Sequence, residues 1–259
     1  MAADVIDYRL IGDDMQGVII TLDPGEAVLA EAGAMMYMED GIQMATTLDP
    51  NNQGGGLFGK LVGAGKRMLT GESFFITLFG NTVNQRRDVA FAAPTPGKIL
   101  IADLKSWGGE LIAQKDAFLC AARGIDMDIA FTRRIGAGFF GGEGFILQRL
   151  RGDGLAFLSA SGTLVERELA PGEVLRVDTG CLVAMQPSVD YDIEMVRGVK
   201  TMLFGGEGLF YVKLTGPGKI VLQTMPFSRL AEQVIAHAPA LQRQGTSRGL
   251  IGGILGDQG

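Results

Sequence analysis

Glu72, Glu143 and Glu207 each follow a glycine, and the two later copies read "FFGGEGF" and "LFGGEGLF". Glycines let backbone approach closely, so such a carboxylate could sit in a cleft as a general acid or base. Several copies could also supply the two carboxylates of divergent pKa that acid/base chemistry needs. The competing reading is a turn, in which the glutamate accepts neighbouring N–H groups or pairs with an arginine. Duplication multiplies a turn residue by itself, whereas catalysis has no need of three copies. Glu72, Glu143 and Glu207 are therefore expected as repeat turn residues, and no residue is assigned a catalytic role.

A second candidate is a surface. In "GGGLFGKLVGAGKRMLTGE", Gly54 to Glu72, the residues Leu57, Phe58, Leu61, Val62, Met68 and Leu69 share one face of a short helix, with Lys60, Lys66 and Arg67 elsewhere. An apolar stripe beside basic residues suits a membrane surface or a protein partner, and equally a helix capping a β core. The Gly65-Lys66 pair is no phosphate loop. Lys60 stands where that pattern requires glycine, and Arg67 where it requires serine or threonine. Lys66-Arg67, Arg133-Arg134 and the looser Arg197/Lys200 precede the three Gly-Glu stretches, and could together present positive charge to a single-stranded nucleic acid. Stacking aromatics do not interleave with them, so solvated surface charge is preferred.

Composition narrows the classes further. His237 is the only histidine, which removes Ser-His-Asp triads, Cys-His dyads and histidine metal clusters within the chain. No metal and no cofactor is expected. A net charge of −6 argues against general attraction to nucleic acid or anionic lipid. The first residues lack the basic and apolar regions of a signal peptide, and no apolar run reaches the roughly 18–20 residues of a membrane span, so a cytoplasmic protein is expected. Cys120 and Cys181 lie in apolar runs and are expected as buried, reduced thiols. The alternating acids Asp126/Asp128 and Asp190/Asp192/Glu194 could hold calcium, but the loop glycine of a helix-loop-helix site is missing. Trp107 is expected to pack at a turn corner.

These residues must be positioned by strands. Glu110 to Glu173 spans 63 residues, Glu143 to Glu207 spans 64, and Gly154 to Gly218 spans 64. Three markers shifting together indicate internal duplication. Earlier in the chain the spacing breaks, which places insertions around residues 48–69 and 81–96. Val189, Tyr191, Ile193 and Met195 alternate with acids, as do Ile125, Met127, Ile129 and Phe131 with Asp126, Asp128 and Ala130, the period of half-buried strands. Ile42 and Met44 are the remnant of that pattern in the first unit. Pro24-Gly25 and Pro171-Gly172 suit the centre of type II turns, and Gly108-Gly109 can do the same. The expectation is an all-β fold of three repeated β-sandwich units, about 17–96, 97–153 and 154–225, around a pseudo-threefold axis within one domain, 1–227. A C-terminal helix, 228–241, is capped by Ser228 and carries Leu230, Val234 and Leu241 at helical spacing. A flexible tail, 242–259, follows.

The phrases "GAMMYMEDGIQM", "RMLTGESFFITLF" and "FFGGEGF", in this order, resemble bacterial members of the altered-inheritance-of-mitochondria family, over about Tyr8 to Phe227. The resemblance implies a fold similar to the tryptophan RNA-binding attenuation protein, built from compact units of the double-stranded β-helix type. Eukaryotic relatives are tied to mitochondrial inner-membrane organisation. The family has no agreed catalytic residues, so none is carried over.

The function expected is a non-enzymatic binding or scaffold protein whose partner is a protein or a membrane surface, with self-association open. A small-ligand protein or enzyme using a repeat-interface carboxylate, and single-stranded nucleic-acid binding, are the alternatives. The candidate binding surface comprises Leu57, Phe58, Lys60, Lys66, Arg67, Arg133, Arg134 and Lys200. If the stripe meets lipid, the chain floats with anionic liposomes in a density gradient and the L57D/F58D variant stays at the bottom. Equal sedimentation of both removes the membrane role.

Overall fold

A computed structural model describes residues 2–47, 76–133, 144–195 and 210–237. Nineteen strands and one helix occupy them: β1 (Asp7–Ile11), β2 (Gly17–Leu22), β3 (Ala27–Glu31), β4 (Met35–Met38), β5 (Ile42–Thr47), β6 (Ile76–Asn81), β7 (Arg87–Ala92), β8 (Gly97–Asp103), β9 (Glu110–Gln114) and β10 (Phe118–Ala122), then β11 (Asp126–Arg133), β12 (Phe145–Arg151), β13 (Leu155–Ser161), β14 (Leu164–Leu169), β15 (Val174–Asp178), β16 (Leu182–Met185), β17 (Asp190–Met195), β18 (Phe210–Thr215), β19 (Gly218–Gln223) and the helix α1 (Phe227–Ala236). The described residues are all-β apart from that helix and short 3-10 turns. No described helix is long and apolar enough to cross a membrane.

All strand pairs are antiparallel, in four sheets ordered β1-β2-β7-β4, β5-β6-β3-β10-β13-β8, β11-β12-β9-β16-β19-β14 and β15-β18-β17. Several pairings recur. β2 with β7, β8 with β13 and β14 with β19 are each the first and last strands of a stretch of six. In each stretch a three-residue 3-10 turn separates the second strand from the third: Ala32–Ala34, Lys115–Ala117 and Thr179–Cys181. A bulge then follows at the second residue of β4, β10 and β16, where the register shifts between Met35 and Tyr37, Phe118 and Cys120, and Leu182 and Ala184.

Two sheets are joined from halves. β3 meets β10 through Ala30–Cys120, Leu29–Ala121 and Val28–Ala122, and β9 meets β16 through Ala113–Ala184 and Ile112–Met185. All ten of these residues are buried. The larger core lies across the first of these seams. Val18, Ile20, Val89 and Phe91 face Val28, Phe79, Leu119 and Phe157 there, and Phe79 meets Phe91 edge-to-face at 5.2 Å. A second core gathers Phe145, Leu147, Val177, Met185, Ile193, Val212 and Leu214.

The structure corrects several expectations. Residues 81–96 are no insertion, since they hold β7 in the heart of the first sheet. β13 pairs with β8 and β10, so it belongs with the strands before it, and a unit boundary falls between β13 and β14 rather than at 153/154. A closed ring about an axis would pair β15 with β4, yet these strands lie in different sheets. In β11 the register shifts between Ile129 and Phe131, which inserts Ala130 and reverses the faces there. Ile129, just before the bulge, is 38% exposed, while Ala130 and Phe131 pack against the second core and Met127 against the first. The helix begins at Phe227, so Ser228 sits inside its first turn rather than capping it. Cys120 is buried as expected, but Cys181 is only half-buried. Trp107 does pack in the core at a turn, with Lys219 Nζ 5.0 Å from its ring centre.

One side chain ties the first two hairpins together. Asn81, buried at the end of β6, donates from Nδ2 to the carbonyls of Leu22 (2.9 Å) and Gln85 (2.8 Å), and its Oδ1 accepts from Val83 N–H (3.1 Å). Truncation strands those groups, so Asn81→Ala should lower unfolding free energy by about 2–3 kcal/mol. Thr82→Ala, which removes a single exposed hydrogen bond to Gly41 O, should cost about 1 kcal/mol or less. Chemical denaturation of both variants checks the contrast.

Candidate functional site

The turn between β2 and β3 shows what a glycine-led glutamate does in this fold. Glu26 N–H donates to Asp23 O (3.0 Å), and Asp23 N–H donates back to Glu26 Oε2 (2.9 Å). Between β14 and β15 the bonds repeat: Glu173 N–H to Ala170 O (2.9 Å), and Ala170 N–H to Glu173 Oε2 (2.9 Å). Gly25 and Gly172 have φ of +86° and +76°, as type II turns require. No atom stands within 4 Å of a Cβ built on either, so backbone conformation alone demands glycine there. Pro24 and Pro171 pre-set the preceding φ.

Glu110 differs. It opens β9 after Gly108 and Gly109, both at positive φ, and makes no reciprocal turn. Its Oε1 lies 2.8 Å from Arg149 Nε, an ion pair whose N–H is not aimed along the contact. The Gly-Gly pair thus does not reproduce the Pro-Gly turns.

The two turn acids are driven in opposite directions. Partial burial raises the Glu26 carboxyl, the Asp23 N–H opposes this, and the nearby Asp23, Asp4 and Asp7 carboxylates add to the rise. Glu173 is lowered, first by the Ala170 N–H and then by Arg167, whose Nη2 lies 2.5 Å from Glu173 Oε1. The alternating acids are similarly engaged. Arg151 reaches Asp128 (2.7 Å) and Asp126 (3.5 Å), and Arg176 reaches Glu194 (3.3 Å).

Of the candidates read from sequence, Leu57, Phe58, Lys60, Lys66, Arg67, Glu72, Arg134, Glu143, Lys200 and Glu207 lie outside the described residues. Arg133 is placed by its backbone alone, closing β11 opposite Phe145. The described surface offers a site that the sequence reading did not single out. β4 ends its sheet with Met36, Tyr37 and Met38 exposed by 51%, 41% and 39%. β15 ends another, with Val174 45% exposed beside the exposed Arg176. The signal in sequence was the uncharged run Met35-Met36-Tyr37-Met38, which periodicity could not distinguish from a core strand.

Antiparallel sheets, two of them joined from half-sheets, place the chain among all-β proteins. Residues 8–225 match the mitochondrial biogenesis family AIM24, and the chain belongs to that family. It is 30% identical over 224 residues to an uncharacterised protein of Streptococcus pyogenes serotype M6, covering 86% of each chain. It also resembles the crystal structure of a Streptococcus pyogenes protein solved by structural genomics, with TM-score 0.69 and 26% identity over 90% of this chain and 99% of that one.

Linkage fixes a pH signature. Glu26 is raised in the fold, so its contribution is full below the carboxylate range and is lost as pH rises through the folded value. Glu173 is lowered, so its contribution is present above that range and is lost as pH falls. At pH 7 Glu26→Gln should raise the denaturation midpoint and Glu173→Gln should lower it. Both differences should shrink as pH approaches about 3. Midpoints that move in the same direction at pH 7 would contradict this assignment.

Proposed function

We propose that the protein is a non-enzymatic scaffold that binds protein partners along open sheet edges. The observation that carries this reading is the bare apolar edge β4. Exposed edges normally carry charge, because unpaired N–H and C=O groups recruit other strands. Among the described residues there are eight sheet edges, and only β4 and β5 have no charged side chain. β5 runs directly into residues outside the described set, whereas β4 is described on both sides. Methionine and tyrosine are residue types that interfaces favour, and three of them in succession on an open edge make a surface for strand addition.

The placement of the turn acids supports a structural reading of this chain's repeated glutamates. Glu26 and Glu173 are held by the N–H groups of their own turns, and Glu110 faces an arginine. The scaffold reading is tested with tagged protein in cells that express it. Partners recovered with the wild type after cross-linking should be lost from Met36→Asp/Met38→Asp, two changes at exposed positions. Recovery of the same partners in the same amounts with that variant would end the proposal.

A further inference from the structure

We propose that the second stretch of six strands carries a peptide-docking slot, which residues 2–5 of the chain fill reversibly in place of a partner segment made of a small residue followed by an aspartate. The slot lies apart from edge β4 and does not rest on the edge-binding reading.

The three stretches treat one hollow in three ways. It lies where the turn after the bulged strand meets the turn before the last strand. Gly41-Ile42, Gly124-Ile125 and Ser188-Val189 match there: Ile42, Ile125 and Val189 are all buried, and Gly41 and Gly124 have φ of +99° and +101°. In the first stretch the β6–β7 turn, 82–86, fills the hollow. A Cβ built on Gly41 would stand 2.7 Å from Val83, and Thr82 N–H donates to Gly41 O (3.0 Å). In the third stretch Ser188 fills it, its hydroxyl 2.5 Å from a Cβ built on Gly218, while Gln186 Oε1 accepts from Lys219 N–H (2.8 Å). The second stretch has glycine on both sides instead. A Cβ on Gly124 would stand 2.8 Å from Ala3 Cα, and one on Gly154 would stand 2.5 Å from Ala3 Cβ. A segment from outside the six strands is thus seated where the other two stretches use their own side chains.

The slot holds that segment as a binding site holds a ligand. Its glycine walls admit only a small side chain at Ala3. Asp153 Oδ1 accepts Ala3 N–H (2.8 Å), and Arg123 O accepts Asp4 N–H (2.8 Å). The Asp4 carboxylate takes Ala27 N–H (2.8 Å), and Arg123 Nη2 stands 2.9 Å and 3.1 Å from its two oxygens.

The same contacts allow release. Val5 is 84% exposed, whereas Ile6 is buried in the core and leads into β1. Residues 2–5 can therefore swing out about Val5 while β1 keeps its pairing. Glu26, raised first by burial and then by the Asp23, Asp4 and Asp7 carboxylates, repels the Asp4 charge when ionised. A short terminal segment held by a few bonds belongs to the least stable part of a fold. A partner segment with the same small-then-aspartate order makes the same bonds and takes its place.

Fluorescence anisotropy with the labelled peptide acetyl-Ala-Ala-Asp-Val-amide tests this on the full chain. Asp4→Lys sets a lysine against Arg123, so it should expel the segment and bind the peptide with Kd below about 1 mM. The wild type should bind at least about tenfold more weakly, because its tethered segment competes at an effective concentration in the millimolar range. Adding Gly154→Ala to Asp4→Lys should abolish binding, since the new Cβ takes the space of the peptide's small side chain. Hydrogen exchange of the unaltered protein gives a second readout. Excess peptide should speed exchange of Ala3 and Asp4 N–H but leave Ala27 N–H protected, because the peptide's carboxylate replaces that of Asp4; a merely loosened fold would expose all three. Exchange at Ala3 and Asp4 unmoved by about 5 mM peptide, well above that Kd, overturns the proposal. Equal binding by the wild type and Asp4→Lys, or binding indifferent to Gly154→Ala, overturns it as well.

Discussion

Every open β edge must be paired, charged or covered, and this constraint organises the molecule. The chain meets it internally by setting β3 against β10 and β9 against β16. These contacts are short, only two or three residue pairs, and are made mainly of alanine, cysteine and medium-sized aliphatics. Small side chains let two half-sheets continue one plane without forcing apart the layers above and below. The seams also explain why the larger core is shared: Val183, Ala184 and Val221 from the last third of the chain pack into the cluster that holds Val18 and Phe79 from the first. The first seam carries a lock as well. Asp4 accepts from Ala27 N–H (2.8 Å) and pairs with Arg123 (2.9 Å), while Arg123 donates to Gly25 O (2.9 Å). The N-terminal segment thereby fastens the β2–β3 turn to the end of β10.

The glycine-led glutamates illustrate how a turn residue's electrostatics follow its neighbours rather than its motif. Glu26 and Glu173 make the same reciprocal bonds, yet one carboxyl is raised and the other lowered. Around Glu26 the neighbours are three aspartates. Around Glu173 the neighbour is Arg167. The shared geometry supplies a fixed stabilisation of the anion from one N–H, and the sign of the balance is decided by partial burial and surrounding charge. A motif repeated within one chain can therefore keep its backbone role while its titration behaviour diverges.

The sequence was most legible where local rules act alone. Pro-Gly-Glu specified its turn because only glycine adopts φ near +80° without strain, and Val189, just before β17, and Ile193 within it are both buried as the period of two requires. Reading failed where the cause was non-local. The expected insertion at 81–96 matches Gly97 with Gly154 and Gly218, whereas Gly97 opens β8, the first strand of the next six, so β7 falls in the gap although Val89, Ala90 and Phe91 are a plain apolar run. Phe131 packs against a different core from Met127 because the bulge between Ile129 and Phe131 inverts alternation, and no residue type announces that bulge. The seams were invisible for the same reason: Ala30 and Cys120 meet across ninety positions, with nothing in either strand to name its partner.

Edge β4 differs from most of the other described sheet borders. β14 carries Glu166, Arg167 and Glu168, β11 carries Asp126 and Asp128, and β17 carries Asp190, Asp192 and Glu194. Several of these charges are held by cross-strand arginines or lysines, such as Arg151 with Asp128 and Lys219 with Glu166. Neutralised charge on an edge keeps the border polar without distorting the strand, and so discourages addition of a further strand at no cost to the native pairing. β4 lacks this protection and presents methionine and tyrosine instead, whereas β15 carries an arginine whose charge is shared with Glu194 and the ring of Tyr211.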